Sequence, residues 1–166
     1  HLLNVDTVSQ KVVFRGSLFK TVTGSSTNVV PLHIGASSNL AFDDCQFVRV
    51  SNNGNVAELN TVTNTVFRGC QFTNGGGLGT VLDLFLVTGG VVFEDCIFTQ
   101  NGSGLVLTTD TNCYGVKFVR CLFQTSPTVA NRGELQVVSS LETDPVQFID
   151  CKVEIRFAES PATLAT

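Results

Sequence analysis

Six cysteines are the most reactive side chains in this sequence, and five of them recur at intervals of 25 to 30 residues. Regularly spaced thiols could be small buried apolar side chains, disulfides, or a metal or redox site. We expect reduced, inward-facing thiols, because stacked parallel side chains disfavour the disulfide torsion and form a line rather than converging on a metal. Cys113, outside the series and near a turn, is either a reactive thiol or a buried loop residue. The five are Cys45, Cys70, Cys96, Cys121 and Cys151, and Ser17 holds the equivalent position one interval earlier.

Acidic residues and histidine offer a second kind of chemistry, the paired carboxylates and proton carriers that cleave polysaccharides. Asp43 and Asp44 are adjacent, but they fall in a turn, where the backbone itself favours Asp44. Asp83 is isolated in an apolar strand, so we expect it to face outward, and His33 has no obvious acidic neighbour in the sequence. We therefore predict no catalytic, cofactor-binding or metal-binding residues and no cofactor.

The elements that position these residues follow an eight-residue repeat with six copies. The copies span 12–19, 40–47, 65–72, 91–98, 116–123 and 146–153. Three residues before the cysteine position stand Phe14, Phe42, Phe67, Phe93, Phe118 and Phe148. Two residues after it stand Phe19, Phe47, Phe72, Phe98 and Phe123, with Val153 in the sixth copy. Since eleven of the thirteen phenylalanines occupy two repeat positions, we predict two inward aromatic stacks.

Each repeat is interpreted as two short strands joined by a sharp corner, because the inward-outward alternation slips by one residue between them. The corner residues are Gly16, Asp44, Gly69, Asp95, Arg120 and Asp150. Glycine and aspartate tolerate a left-handed backbone, so we predict that conformation there, with Arg120 as the most strained corner. A third strand precedes each pair, at 32–34, 57–59, 82–84, 105–107 and 135–137.

Three strands per coil of about 25 residues, with a left-handed turn between the second and third, resembles the pectate-lyase-like right-handed β-helix superfamily. The resemblance implies an all-β, right-handed parallel β-helix of about six coils, in one domain over residues 1–166. Relatives include pectate lyases, polygalacturonases and phage tailspikes. The Gly-His-Gly and Arg-x-Lys signatures of polygalacturonases are absent from this chain.

Two surface features follow from this alignment. Arg15, Asp43, Arg68 and Glu94 point outward beside the corner of successive coils, so they form either a row of ion pairs or a merely solvated surface. The loops after the third strand are the most variable segments, and we expect binding residues or simple turn formers there. They span 50–54, 73–79, 99–104 and 124–133.

The charge and hydropathy of the chain exclude some kinds of partner. A formal charge of −4 without a basic stripe argues against nucleic acid, and the lack of a long apolar run argues against a membrane span.

The chain opens on His1 without a methionine, and its first strand, 1–5, is apolar. We therefore expect part of a longer chain or assembly, with additional β-helix coils or another subunit at the N-terminal end and a glycan as a further candidate partner. At the other end, 152–157 is expected to form a last strand and 158–166 a cap.

The function that fits these features is a non-catalytic structural module, or a receptor- or glycan-binding one, in an extracellular or virion surface assembly. The alternative is a polysaccharide-degrading lyase or glycoside hydrolase domain, which the same fold supports when the catalytic residues are present.

Overall fold

The computed structural model describes residues 1–21, 29–50, 53–125, 135–138 and 144–154. Its secondary structure in these ranges consists of strands, numbered in chain order. They are β1 (Leu3–Val5), β2 (Val12–Arg15), β3 (Leu18–Lys20), β4 (Leu32–Gly35), β5 (Leu40–Asp43), β6 (Gln46–Arg49), β7 (Ala57–Asn60), β8 (Thr65–Arg68), β9 (Gln71–Asn74), β10 (Leu82–Phe85), β11 (Thr88–Glu94), β12 (Ile97–Gln100), β13 (Leu107–Thr109), β14 (Tyr114–Val119), β15 (Leu122–Thr125), β16 (Leu135–Gln136), β17 (Gln147–Ile149) and β18 (Lys152–Glu154).

The strands form three parallel sheets of six strands each, and consecutive strands of the chain belong to different sheets. Sheet A takes every third strand from β1, sheet B every third from β2 and sheet C every third from β3. The chain therefore winds as a β-solenoid of about 5 turns with three strands in each coil. The predicted all-β parallel solenoid is confirmed.

Two stacks of phenylalanine rings fill the interior. Every neighbouring pair in the first stack, from Phe14 to Phe148, has ring centroids 4.7 to 5.0 Å apart. The second stack runs from Phe19 to Phe123 with spacings of 4.9 to 5.3 Å. Rings of the two stacks meet edge to face, as between Phe67 and Phe72 at 5.7 Å. The prediction of two inward stacks is confirmed, and each buried ring contributes roughly 1.5–3 kcal/mol.

The corners between sheets B and C also match the prediction. All six corner residues have a positive φ between 52° and 59°. Asp44 N–H donates to Arg68 O at 2.8 Å, and the equivalent amide of the next coil repeats the bond to Glu94 O at 3.0 Å. The left-handed corner thus keeps the backbone hydrogen bonds running from coil to coil while the chain turns sharply.

One predicted strand is wrong by two residues. The sequence places a strand of sheet A at 105–107, whereas β13 begins at Leu107, which pairs with Leu82 of the previous coil. Val106 is buried in the position that Val81 occupies one coil earlier, so the Leu105 side chain precedes the strand instead of entering it.

Several predicted features lie wholly or partly outside the described residues. These are residues 51–52 of one loop, most of the 124–133 loop, the end of the last strand at 155–157, and the cap at 158–166. The beginning of that strand is present as β18. In the described ranges, no helix is long and apolar enough to cross a membrane.

Candidate functional site

Sheet A carries a row of polar side chains on its outer face. The backbone register aligns Asn4, His33, Glu58, Asp83 and Thr108 in five successive coils. Each lies between two inward apolar or small residues of its strand, so alternation turns it outward. His33, Glu58 and Asp83 are only partly exposed, because the neighbouring coils cover their sides. We call these five residues the sheet A row.

The sheet A row gives neighbours to two residues that stand alone in the sequence, and it places Asp83 on the outer face as predicted. His33 has an acidic neighbour after all, since its Nδ1 atom lies 3.5 Å from Glu58 Oε2. Asp83 is not isolated either, because the Asn55 side-chain amide donates to Asp83 Oδ2 at 3.0 Å and to Glu58 Oε1 at 3.1 Å. His33, Glu58 and Asp83 follow each other at intervals of 25 residues, which is the length of one coil. They are therefore neighbours on adjacent strands although they are distant in the sequence.

Burial and neighbouring charges change the electrostatics of the row at Asp83. Burial and the negative charges of Glu58 and Asp110 raise the pKa of Asp83, while the hydrogen bond from Asn55 opposes the shift. Two like charges on adjacent coils destabilise each other, so protonation of Asp83 relieves the repulsion. Asp83 therefore holds a proton more tightly than an exposed aspartate would.

The N-terminal residue extends the row. The imidazole of His1 stacks on that of His33 with ring centroids 4.4 Å apart and planes 29° apart. One ligand-type atom from each of His1, His33 and Glu58 lies within 4.8 Å of the other two. These residues are far apart along the chain, so the sequence alone predicts no metal ligand among them.

A second polar row, buried inside the solenoid, was not predicted at all. Arg49, Asn74, Gln100 and Thr125 end the strands of sheet C, align in register and are almost fully buried. Asn74 donates to Gly79 O at 2.9 Å, and Gln100 donates to the same oxygen at 2.8 Å. These side chains fasten the following loops to the coil, as buried polar groups must find partners.

Arg49 connects the buried row to the outer one. Its guanidinium is 1% exposed and donates to the backbone oxygens of Val29 and Asn55. Burial lowers the pKa of Arg49, and the charge of Glu58 acts against this shift. The buried Arg49 therefore holds the backbone oxygen of Asn55. The Asn55 side chain in turn positions Glu58 and Asp83 on the outer face.

The loop glycines are required by close stacking, which supports the turn-former interpretation of these segments. A Cβ atom on Gly79 would lie 1.9 Å from the backbone oxygen of Gly54. One coil further, a Cβ on Gly104 would lie 2.2 Å from the oxygen of Gly79. The loops at these positions stack backbone against backbone.

A shallow groove of about 430 Å³ follows the outer face of sheet B near the first coils. Its floor contains the small apolar residues Val13, Ala41 and Val66, which align in register. One wall contains Asn39 and Asn64, joined by a side-chain hydrogen bond. The opposite wall contains charged side chains, so the groove combines an apolar floor with polar edges. We call it the sheet B groove.

The charged wall of the sheet B groove is the predicted row of ion pairs. Asp43 lies 3.2 Å from Arg15 and 3.5 Å from Arg68, and Arg68 lies 3.4 Å from Glu94. The arrangement is confirmed. Because the arginine of each pair is well exposed, each pair contributes little stability on its own.

The cysteines are placed as predicted, with one refinement. No disulfide joins them, and all are buried except Cys151, which is partly exposed. Thiols donate to carbonyl oxygens of the preceding coil, as from Cys70 to Phe42 O at 3.3 Å. Cys113 is also buried, and burial is the main cause that raises its pKa to about 11. The structure thus supports the buried alternative for Cys113 and leaves Cys151 as the more accessible thiol.

Comparison with protein-family models gives no match, and comparison with curated proteins and with solved structures finds no significant similarity. The features of this chain that can carry a function are the sheet A row, the sheet B groove and the ends of the solenoid.

Proposed function

We propose that this chain is a non-catalytic β-solenoid module of an extracellular or virion surface assembly, with a structural or a receptor- or glycan-binding role. The three-strand coil with its left-handed corner supports a distant relationship to pectate-lyase-like β-helices. The interior consists mainly of stacked aromatic rings, aliphatic side chains and thiols, which stabilise the coils.

The observation that carries the proposal is the first coil, whose outer edge pairs with no other strand in the described part of the chain. Strands β1, β2 and β3 are the edges of their sheets, and edge strands offer unpaired backbone groups to another chain. The inward rings Phe14 and Phe19 remain partly exposed, whereas Phe42 and Phe47 one coil further are fully buried. Additional coils or another subunit at this end would bury both rings and pair all three edges.

The sheet B groove supports the glycan-binding role. Sugar rings present apolar C–H faces bordered by hydroxyl groups, and the groove offers Val13 and Ala41 below amide and charged side chains. Its polar edges can accept and donate hydrogen bonds, which is how a mostly apolar site orients a small ligand.

Sedimentation equilibrium of the chain over a wide concentration range tests the carrying observation. Val12 N–H donates to Asn39 O, so the next amide, that of Val13, faces the free edge. We expect reversible association of the wild type that Val13→Pro abolishes without lowering the melting temperature. Val12→Pro is the matched control, because it removes an internal hydrogen bond and should lower the melting temperature. A monomer at all concentrations, with amides of β2 exchanging as slowly as those of β5, would contradict the proposal.

The polysaccharide-degrading alternative has one specific observation in its favour, the adjacent carboxylates of Glu58 and Asp83 with the bridging Asn55. Two carboxyl groups that flank the scissile bond, about 5–9.5 Å apart, are the catalytic unit of most glycoside hydrolases. Release of oligosaccharides from a panel of acidic and neutral glycans would favour this alternative if Glu58→Gln and Asp83→Asn both abolish it. Glu94→Gln, an exposed carboxylate of the ion-pair row, is the control that should retain the release.

A further inference from the structure

The two histidines of this sequence, the only two it contains, meet at one place on the surface. His1 precedes β1 in the first coil, and His33 belongs to β4 in the second. Their stacked rings are followed in the third coil by Glu58 of β7. Three consecutive coils thus each contribute one side chain of a type that binds metal ions.

The spacing of these atoms fits a small coordination sphere. Ligands bound at 2.0–2.1 Å to a tetrahedral zinc ion lie about 3.4 Å from each other. His33 Nδ1 and Glu58 Oε2 are 3.5 Å apart, so one ion can contact both without a change in backbone. His1 is exposed, and its ring needs only a small movement, because one ligand-type atom from each of the three residues already lies within 4.8 Å of the other two.

His33 itself has an unsatisfied atom at this point. Its Nδ1 atom is inaccessible to solvent and makes no hydrogen bond with the described part of the chain, although a carboxylate oxygen is nearby. A buried polar atom without a partner is costly unless something binds it. A cation between His33 and Glu58 would satisfy both groups.

The surroundings hold the carboxylate in a binding orientation. Asn55 donates to Glu58 Oε1 at 3.1 Å, which leaves Oε2 directed at His33. Asn55 is in turn held through its backbone oxygen by the buried Arg49. Hydrogen bonds of this kind to a ligating side chain fix its geometry and increase metal affinity.

We propose that His1, His33 and Glu58 form a binding site for a divalent transition-metal ion of the zinc type. Two imidazoles and one carboxylate suit Zn²⁺, Co²⁺, Ni²⁺ or Cu²⁺, whereas Ca²⁺ and Mg²⁺ prefer oxygen ligands alone. The ion would tie the segment before β1 to the second and third coils, next to the end where we propose that a partner binds. The metal site is separate from that surface, and metal binding does not require the partner.

Titration of the untagged, reduced chain with Zn²⁺ by calorimetry and with Co²⁺ by visible absorption tests the site. We expect one ion per chain and a melting temperature that rises with added Zn²⁺. His33→Gln and His1→Ala should each weaken binding by about 100-fold or more, and Asn55→Ala by about 10- to 100-fold. Glu94→Gln, whose carboxylate belongs to the distant corner row, should bind as tightly as the wild type.

Three results would overturn the proposal. The first is a wild-type chain that binds neither ion, and the second is binding that His33→Gln and His1→Ala both leave unchanged. The third is a near-ultraviolet sulfur-to-cobalt charge-transfer band, which would assign the ion to the cysteines. His1→Ala keeps the test decisive if a variant of the strand residue fails to fold, because His1 is exposed and precedes the first strand.

Discussion

Arg120 and Asp95, the corner residues of adjacent coils, form a two-point ion pair: Nε donates to Oδ1 and a terminal nitrogen donates to Oδ2, both at 2.8 Å. The same guanidinium also reaches Glu94 Oε1 at 2.8 Å. The hydrogen bonds from Arg120 lower the pKa of Asp95. Arg120 therefore extends the ion-pair row by one coil, although its own backbone has a positive φ of 52°.

The Arg120 corner allows backbone strain to be separated from charge. Arg120→Ala and Arg120→Gly both remove the ion pair, but only glycine adopts this φ without strain. We expect Arg120→Gly to melt a few degrees above Arg120→Ala in thermal denaturation. An alanine variant that melts at or above the glycine variant would show that the corner stores no strain.

The aromatic stacks should lose stability unevenly along the solenoid. Phe93 is fully buried between two coils, so Phe93→Ala should cost about 3–5 kcal/mol in the free energy of unfolding measured with urea. Phe148 is 39% exposed at the end of its stack, and Phe148→Ala should cost clearly less. Equal losses at both positions would contradict the assignment of inner and terminal rings.

Loop stacking predicts a sharp contrast between two glycines of one loop. Gly79→Ala places a methyl group against the Gly54 backbone and should cost about 1–3 kcal/mol. Gly76→Ala meets nothing within 4 Å, so it should change stability by less than about 0.5 kcal/mol. Urea denaturation of both variants measures the difference, and a neutral Gly79→Ala would mean that the loops do not stack as described.

Thiol labelling should follow burial. Cys151 is partly exposed and should react first with a small alkylating reagent at pH 8, whereas the other five cysteines should react slowly. For Cys113 the raised pKa of about 11 keeps the thiol protonated at that pH. Peptide mass mapping after timed labelling identifies the order, with the urea-unfolded chain as the control in which all six react. Early labelling of Cys96 or Cys113 would contradict it.

Asp83 should make stability depend on pH in a defined direction. Because its pKa is raised in the folded state, its contribution is most favourable below the unfolded pKa and is lost as pH rises through the folded pKa. Asp83→Asn should therefore raise the melting temperature at pH 7, measured in a metal chelator, and this gain should vanish in acid. Asp110, whose pKa is lowered by hydrogen bonds despite burial, should give no such gain as Asp110→Asn.

The fold could be predicted from the sequence because inward positions demand the same residue type in every coil. Phe67 and Phe93 occupy the same position in successive coils. The recurrence of phenylalanine in the sequence therefore reveals which residues are paired between coils. The outer and buried polar rows could not be predicted in this way, because the residue type changes from coil to coil. His33, Glu58 and Asp83 follow each other by one coil, and only the backbone spacing reveals that they are adjacent.

The buried row shows the same limit more clearly. Arg49, Asn74 and Gln100 each hold a loop through backbone oxygens, although their side chains differ in length and charge. This shared role depends only on a side-chain nitrogen that can donate to a loop carbonyl oxygen. Several residue types provide one, so the sequence shows no repeated residue at this position. Their burial also contradicts the usual surface preference of these residue types.

The last residue of a sheet C strand anchors the loop that follows it, so one loop can be exchanged for another together with its anchor. Asn74 holds Gly79 O and Gln100 holds Leu105 O, and both bonds span five residues of the chain. A segment transplanted together with its own anchor brings its fastening along, and the host coil requires only that glycine stays where the loop backbones stack, as at Gly79. The surface of this solenoid can therefore be diversified one loop at a time, while the aromatic interior stays unchanged.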